Sequence, residues 1–216
     1  MRACRAAACA ALALALAVVP GCAADGAEAP DGLAFELSEP RDVGCMLQLP
    51  DYPTGCEVVS LVNALHAFGV EASFDEAYAL FDKSDHDYVH AWWGDPYGSG
   101  GAAYPPAMEE AASRALLGTP CRAEDVTGCG LQGIADVIQS GGVVIAWTTT
   151  DGGMPVWSGW EVEGWPMYAN EHCIVVYGIR DGEVLCSDPL RGLTSAPLGE
   201  WYAVWDACGQ MAVAIG

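Results

Sequence analysis

From Cys56 onward the apolar residues Val59, Leu61, Val62, Leu65 and Phe68 recur at helical spacing, and Gly69 ends the run. Thr54 is a candidate cap for this helix, with Pro53 and Gly55 leaving its first residue open. A second short helix is predicted over Phe74 to Phe81, with Ser73 near its cap. The polar, aromatic and glycine-rich stretch from Asp82 to Tyr104 reads as a long surface excursion. Pro105-Pro106 opens a helix near Ala107 to Leu117, closed by Gly118. Another helix covers Leu131 to Gln139. Gly141-Gly142 then breaks the pattern and leads into VVIAW, a buried strand.

The second half changes period. Thr149 to Ala169 reads as a tryptophan-rich loop. Strands are predicted at Cys173 to Ile179 and Glu183 to Cys186, with Asp181-Gly182 as the hairpin turn between them. Further strands are predicted at Trp201 to Trp205 and Met211 to Ile215. Helices first and strands later argue for an α+β fold with the helices on one side of an antiparallel sheet.

The N-terminus departs from this pattern. Arg2 and Arg5 precede an apolar run, Ala10 to Val19, too short to span a bilayer. Residues 1–22 therefore read as an export signal. Two processing readings stand: cleavage near Ala23-Ala24, or VPGC as a lipobox with Cys22 lipidated. Either makes the mature chain exported, extracellular or held at the cell surface by a lipid. Residues 23–43 read as an acidic tether, and 44–216 as one domain. The hydrophobic fraction of 52% supports a full core, and the formal charge of −21 argues against nucleic acid as a partner. Membrane contact is expected only through a lipid on Cys22.

Ten cysteines occur, and removing Cys4, Cys9 and Cys22 leaves an odd seven. In an exported chain an odd number raises the question of a free thiol. Cys56 stands where a helix N-terminus favours a thiolate. From position alone it is equally open to being a core residue or half of a disulfide. A nucleophilic thiol needs a base and a group to orient that base. His172 opens the strand HCIVVYGI, and Asp188 follows the next strand in SDPL. A hairpin would bring the two together. Gln48 could donate its amide to an oxyanion, beside the Cys56 N–H. His86 and His90 are four apart, but DKSD is a poor helix interior and HExxH is absent, so a solvated acidic loop is the better reading. Trp157, Trp160 and Trp165 either wall a cleft or pack on one another.

The string QLPDYPTGCEVVSLVNALHAFGV resembles the N-terminal signature of the C39-like papain-fold cysteine peptidases, in the exported bacterial branch without a transporter. GDPYGSGGAAYPPAMEEAA, LQGIADVIQSGGVVIAW, EHCIVVYGIRDGEVLCSDPLRG and WYAVWDACGQMAVAI are similar to successive later segments of that family. The resemblance implies a papain-like fold, with N-terminal helices packed against a C-terminal antiparallel sheet. It implies Cys56 as nucleophile, His172 as base, Asp188 as orienting acid and Gln48 as oxyanion donor. The implied activity is peptide-bond hydrolysis through an acyl-enzyme, on a peptide or protein substrate, with no cofactor or metal. Two alternatives accompany it: a catalytically silent module binding peptide or cell wall, and an amidase or acyl transferase on non-peptide amides. Ser187 stands where the family often has asparagine. The six further cysteines are a larger departure. They would make three staples: Cys121 with Cys129, Cys173 with Cys186, and Cys45 with Cys208.

Overall fold

The computed structural model describes residues 40–216. The expected export signal, with Cys4, Cys9 and Cys22, and nearly all of the expected tether lie outside the described residues. Helix α1 spans Cys56–His66 and is buried from Cys56 through Leu65, on every face. Its polar residues therefore need partners inside the protein. Glu57, Ser60 and Asn63 recur at a spacing of three and each finds one. Glu57 Oε1 accepts the Ala103 N–H at 2.9 Å. Ser60 Oγ donates to the Cys173 carbonyl at 3.0 Å. The Asn63 side chain takes both backbone groups of Met46, accepting at 2.8 Å and donating at 3.1 Å. Gly44 lies against the same asparagine. A Cβ there would fall 2.7 Å from Asn63 Oδ1 and 2.9 Å from its Cα, so a side chain would force the two segments apart.

Gly55, not Thr54, occupies the cap position of α1, and no side chain caps it. The Thr54 hydroxyl is used elsewhere, donating to the Asp95 carbonyl at 3.0 Å. Helix α2, Phe74–Tyr78, is shorter than predicted but opens on Ser73 with a capping box to Glu76. The segment after it is not a surface excursion. It forms strands β1 (Lys83–Ser84), β2 (Trp92–Asp95) and β3 (Gly100–Ala102). Tyr88, Val89, Trp92 and Tyr104 from it are buried in the core. Aromatic contacts account for this. Trp92 packs edge-on against Tyr78 and Phe81, and Tyr88 against Tyr104 and Trp160. A few large rings bury a glycine-rich segment that carries no apolar period.

Helix α3 (Pro105–Ala115) starts on its proline, and strand β4 (Ala123–Asp125) and helix α4 (Gly130–Gln139) follow. Then come β5 (Val143–Thr149), β6 (Trp157–Val162), β7 (Trp165–Tyr168), β8 (Glu171–Arg180), β9 (Glu183–Asp188), β10 (Gly192–Pro197), α5 (Leu198–Ala207) and β11 (Ala212–Ile215). The tryptophan-rich loop is thus a hairpin, β6–β7. The main sheet has the order β10-β9-β8-β5-β11-β4, with every neighbouring pair antiparallel. Asp181 and Gly182 both take positive φ in the β8–β9 turn, as a tight hairpin requires.

The fold is α+β, and α1 to α3 pack on one face of the sheet. The opposite face is covered as well. There Leu131 and Ile134 of α4 and Trp201 and Trp205 of α5 meet Val144, Ala146, Ile174 and Val176. The residues predicted as a strand at Trp201 to Trp205 are helical because Leu198, Trp201, Val204 and Trp205, which are buried, repeat at three and four. Among the described residues no helix is long and apolar enough to cross a membrane.

All seven described cysteines are free, which overturns the three expected staples. The sheet explains one pair directly. Cys173 faces the α1 core and Cys186 the α4–α5 core, on opposite sides of the sheet. Cys45 is exposed while Cys208 is buried. The Cys129 sulfur turns to the Gly130 carbonyl at the start of α4, and Cys121 packs against the other core.

Asn63→Ala leaves the buried groups of the Met46 segment without their partner. It is expected to lower unfolding free energy by about 1–3 kcal/mol, read from urea denaturation.

Candidate active site

The first residue of α1 opens onto a cavity of about 350 Å³, which Gln48, Cys56, Trp93, Met167, Glu171 and His172 help to line. Cys56 sits at the helix start, where the first N–H groups have no intrahelical acceptor, so its backbone N–H is free to face the cleft. Gln48 reaches the cleft from the arm that Asn63 holds. Its backbone N–H donates to the Pro189 carbonyl at 2.9 Å, joining that arm to the loop after β9. Its Nε2 donates to the Pro53 carbonyl at 3.0 Å, and its Oε1 is buried without a hydrogen-bond partner.

His172 and Asp188 meet as their strands suggest. Nε2 of His172 lies 2.8 Å from Oδ1 of Asp188, and both side chains are almost wholly buried. Asp188 Oδ1 also accepts the Leu190 N–H at 2.7 Å, and Oδ2 accepts from Arg191 at 2.6 Å. Arg191 is itself held by the Thr150 carbonyl. Burial alone would raise the Asp188 carboxyl, but the hydrogen bond and charge of His172, with Leu190 and Arg191, hold it down at about 2. With Nε2 engaged, Nδ1 of His172 has no protein partner among the described residues and is left for the cleft.

A bulge makes this contact. Near the turn, Arg180 pairs with Glu183, Ile179 with Val184 and Gly178 with Leu185; beyond it, Val176 pairs with Cys186 and Val175 with Ser187. Tyr177 is the extra residue. Residues opposite one another point to the same face, and a one-residue slip exchanges the faces. Without the bulge, the first register would set Asp188 opposite Val175, facing α1. With it, Asp188 falls opposite Ile174, on the face that His172 shares.

The thiol itself corrects the sequence expectation. Cys56 Sγ donates to Glu57 Oε2 at 3.2 Å, and no hydrogen bond joins it to His172. Burial, followed by the charges of Glu57, Glu171 and Cys173, pushes the thiol well above its ordinary range, where the helix N-terminus was expected to lower it. Glu57 and Glu171 were absent from the predicted site. Both were visible as lone acids inside apolar runs, each next to a candidate catalytic residue, in CEVV and EHCIVV. Arg191 also went unpredicted. The sulfur of Cys56 and carboxylate oxygens of Glu57 and Glu171 lie within 4.8 Å of one another, the one set of this kind among the described residues. His86 and His90 form none: the segment is not helical, and His90 pairs with Glu163 at 3.1 Å. Of the three loop tryptophans, Trp160 packs on Tyr88 and Trp93 and Trp165 on Tyr104, while Trp157 is exposed, so two of them pack on rings from other elements rather than on one another.

A profile of the Peptidase_C39 like family matches residues 40–213. No curated protein matches the sequence at a significant level. Among solved structures, one assigned as a C39-like peptidase from Bacillus anthracis superimposes with a TM-score of 0.72 at 23% identity, over 83% of this chain and 98% of that one. A double glycine motif protease from an AMS/PCAT transporter, solved with its leader peptide, reaches 0.45 at 13% identity, over 83% of this chain and 94% of that one. The peptidase domain of Streptococcus ComA, a bi-functional ABC transporter, reaches 0.43 at 12%, over 76% and 90%. The first of these matches shows the fold.

Burial raises the Glu57 carboxyl from 4.5 to about 7. A carboxyl raised by folding stabilises the protein below its unfolded value, and that stability is lost as pH rises through the folded value. Stability is therefore expected to fall between about pH 4.5 and about pH 7, by up to about 1.4 kcal/mol per pH unit for one proton. Denaturation midpoints across this range check it, and Glu57→Gln should lessen the slope while the part due to Glu171, which burial also raises, remains.

Proposed function

Because the chain belongs to the Peptidase_C39 like family, we propose that it is a cysteine peptidase cleaving peptide bonds through an acyl-enzyme on Cys56. The observation that carries this reading is the buried His172–Asp188 contact of 2.8 Å, with His172 lining the same cavity as Cys56 and Gln48. In the reaction, the Cys56 side chain turns from Glu57 to His172, whose Nδ1 takes the thiol proton. The thiolate attacks the peptide carbonyl carbon, and the resulting oxyanion is held by the Gln48 amide and the Cys56 N–H. His172 returns its proton to the leaving amine as the C–N bond breaks, leaving a thioester. Water then loses a proton to His172 and attacks the thioester carbonyl. The acid departs and Sγ regains its proton. Asp188 holds the imidazole tautomer and orientation and offsets the charge of the imidazolium.

The substrate class is a peptide or protein. We place the enzyme outside the cell, free or anchored through Cys22, on the sequence of residues 1–22 alone. Mass spectrometry of the mature chain distinguishes a lipidated Cys22 from cleavage near Ala23.

One observation favours a silent peptide-binding module instead: the resting thiol bonds to Glu57 rather than to His172. Turnover of a peptide library decides between them. Cys56→Ala is expected to abolish cleavage, and Asp188→Asn to lower kcat by about 10²-fold or more. Peptide binding by the native chain and by Cys56→Ala, with cleavage by neither, would establish the silent module.

A further inference from the structure

The groups around the Cys56 sulfur are unusual for a nucleophile. Glu57 sits on α1, fully buried, with both oxygens occupied by donors: the Ala103 N–H on Oε1 and the thiol on Oε2. Glu171 comes from the first position of β8, and its Oε1 is closed off from solvent with no hydrogen-bond partner. The other titratable groups nearby are His172 and Cys173 on β8, Tyr104 before α3 and Cys208 after α5. Among the described residues no lysine or arginine pairs with either carboxyl. Two carboxyls within 4.8 Å of each other, one buried and one half-buried with an oxygen closed off from solvent, and with no cation between them, do not both ionise readily.

We propose that Glu57 and Glu171 are a positioning pair for Cys56, holding one proton between them and keeping the thiol turned inward, as a donor to Glu57 and away from His172. The proton resides on Glu171, because Glu57 already accepts from two donors and Glu171 Oε1 from none. In that state the thiol faces one negative charge. When Glu171 loses its proton the thiol faces two, and its ionisation is opposed further. Rising pH thus acts on Cys56 in two opposing ways: it favours loss of the thiol proton directly and hinders it through Glu171. Both carboxyls act through the sulfur, so they are positioning residues.

The inference deepens the peptidase reading and rests on it for the identity of the nucleophile. Its test uses no substrate, so a chain that cleaves nothing can still pass or fail. The rate of iodoacetamide alkylation at Cys56, resolved from the other cysteines by peptide mapping, is followed against pH for the native chain, Glu171→Gln and Glu57→Gln. With Glu171→Gln the half-point is expected to move down by about one pH unit, which gives about tenfold faster reaction near neutral pH. Glu57→Gln should shift it in the same direction, since the glutamine oxygen still accepts the Ala103 N–H. Infrared spectra of the native chain about one pH unit above the Glu57 value of about 7 should contain the band of a protonated carboxyl shielded from solvent, which Glu171→Gln removes. Variants that melt like the native chain but alkylate on its pH profile would overturn the proposal. So would a native spectrum without that band, which decides the matter even where a variant fails to fold.

Discussion

The cleft depends on one constraint: α1 is buried on all sides and still carries three polar side chains. Each must be satisfied inside, and each is satisfied by a different segment. Glu57 takes the link between β3 and α3, Ser60 takes β8, and Asn63 takes the arm that ends in Gln48. The polar stripe therefore sets the helix N-terminus against both walls of the cavity. Apolar packing alone is non-directional and would tolerate small rotations of the helix. Hydrogen bonds at a spacing of three fix its rotation, and with it the direction of Cys56.

The same burial decides the state of the sulfur. A helix N-terminus contributes about 0.3–1 kcal/mol to a nearby anion, and about 2 kcal/mol in favourable partly buried settings. A full negative charge within 4.8 Å opposes a thiolate by about 3.5 kcal/mol at an effective dielectric constant of about 20. Desolvation adds to the opposition. The carboxyls outweigh the helix, so the resting sulfur is a protonated donor. Chemistry that needs a thiolate must begin with a rearrangement of this group.

Much of the fold was legible in the sequence. The helical spacing of α1, the capping serine of α2, the proline at the start of α3 and the Asp181-Gly182 turn are local features, and local signals report them. What escaped depends on distance. The burial of Tyr88 and Trp92 comes from rings contributed by other elements, so the segment between Asp82 and Tyr104 looked like surface. Trp201 to Trp205, expected as strand, is helical because its buried positions repeat as in a helix and pack on the far face of the sheet. Cysteine parity raised the question of one free thiol, whereas all seven described cysteines are free and the opposite faces of the sheet keep Cys173 from Cys186. Of the site, Cys56, His172 and Gln48 share one cavity and Asp188 stands behind the imidazole. The acids that surround the sulfur were readable only as charges out of place in apolar runs.

The extra residue at Tyr177 carries a consequence for how the chain tolerates changes in length. Whether the acid and the imidazole share a face depends on the parity of the residue count between them, as well as on their identities. Adding one residue to either strand of this hairpin, with the bulge kept, would send the acid to the wrong side while every side chain of the site remained present. Adding one residue to each strand, symmetrically about the turn, would preserve the contact. Relatives that lengthen this hairpin are thus constrained to do so in pairs, or to move the bulge.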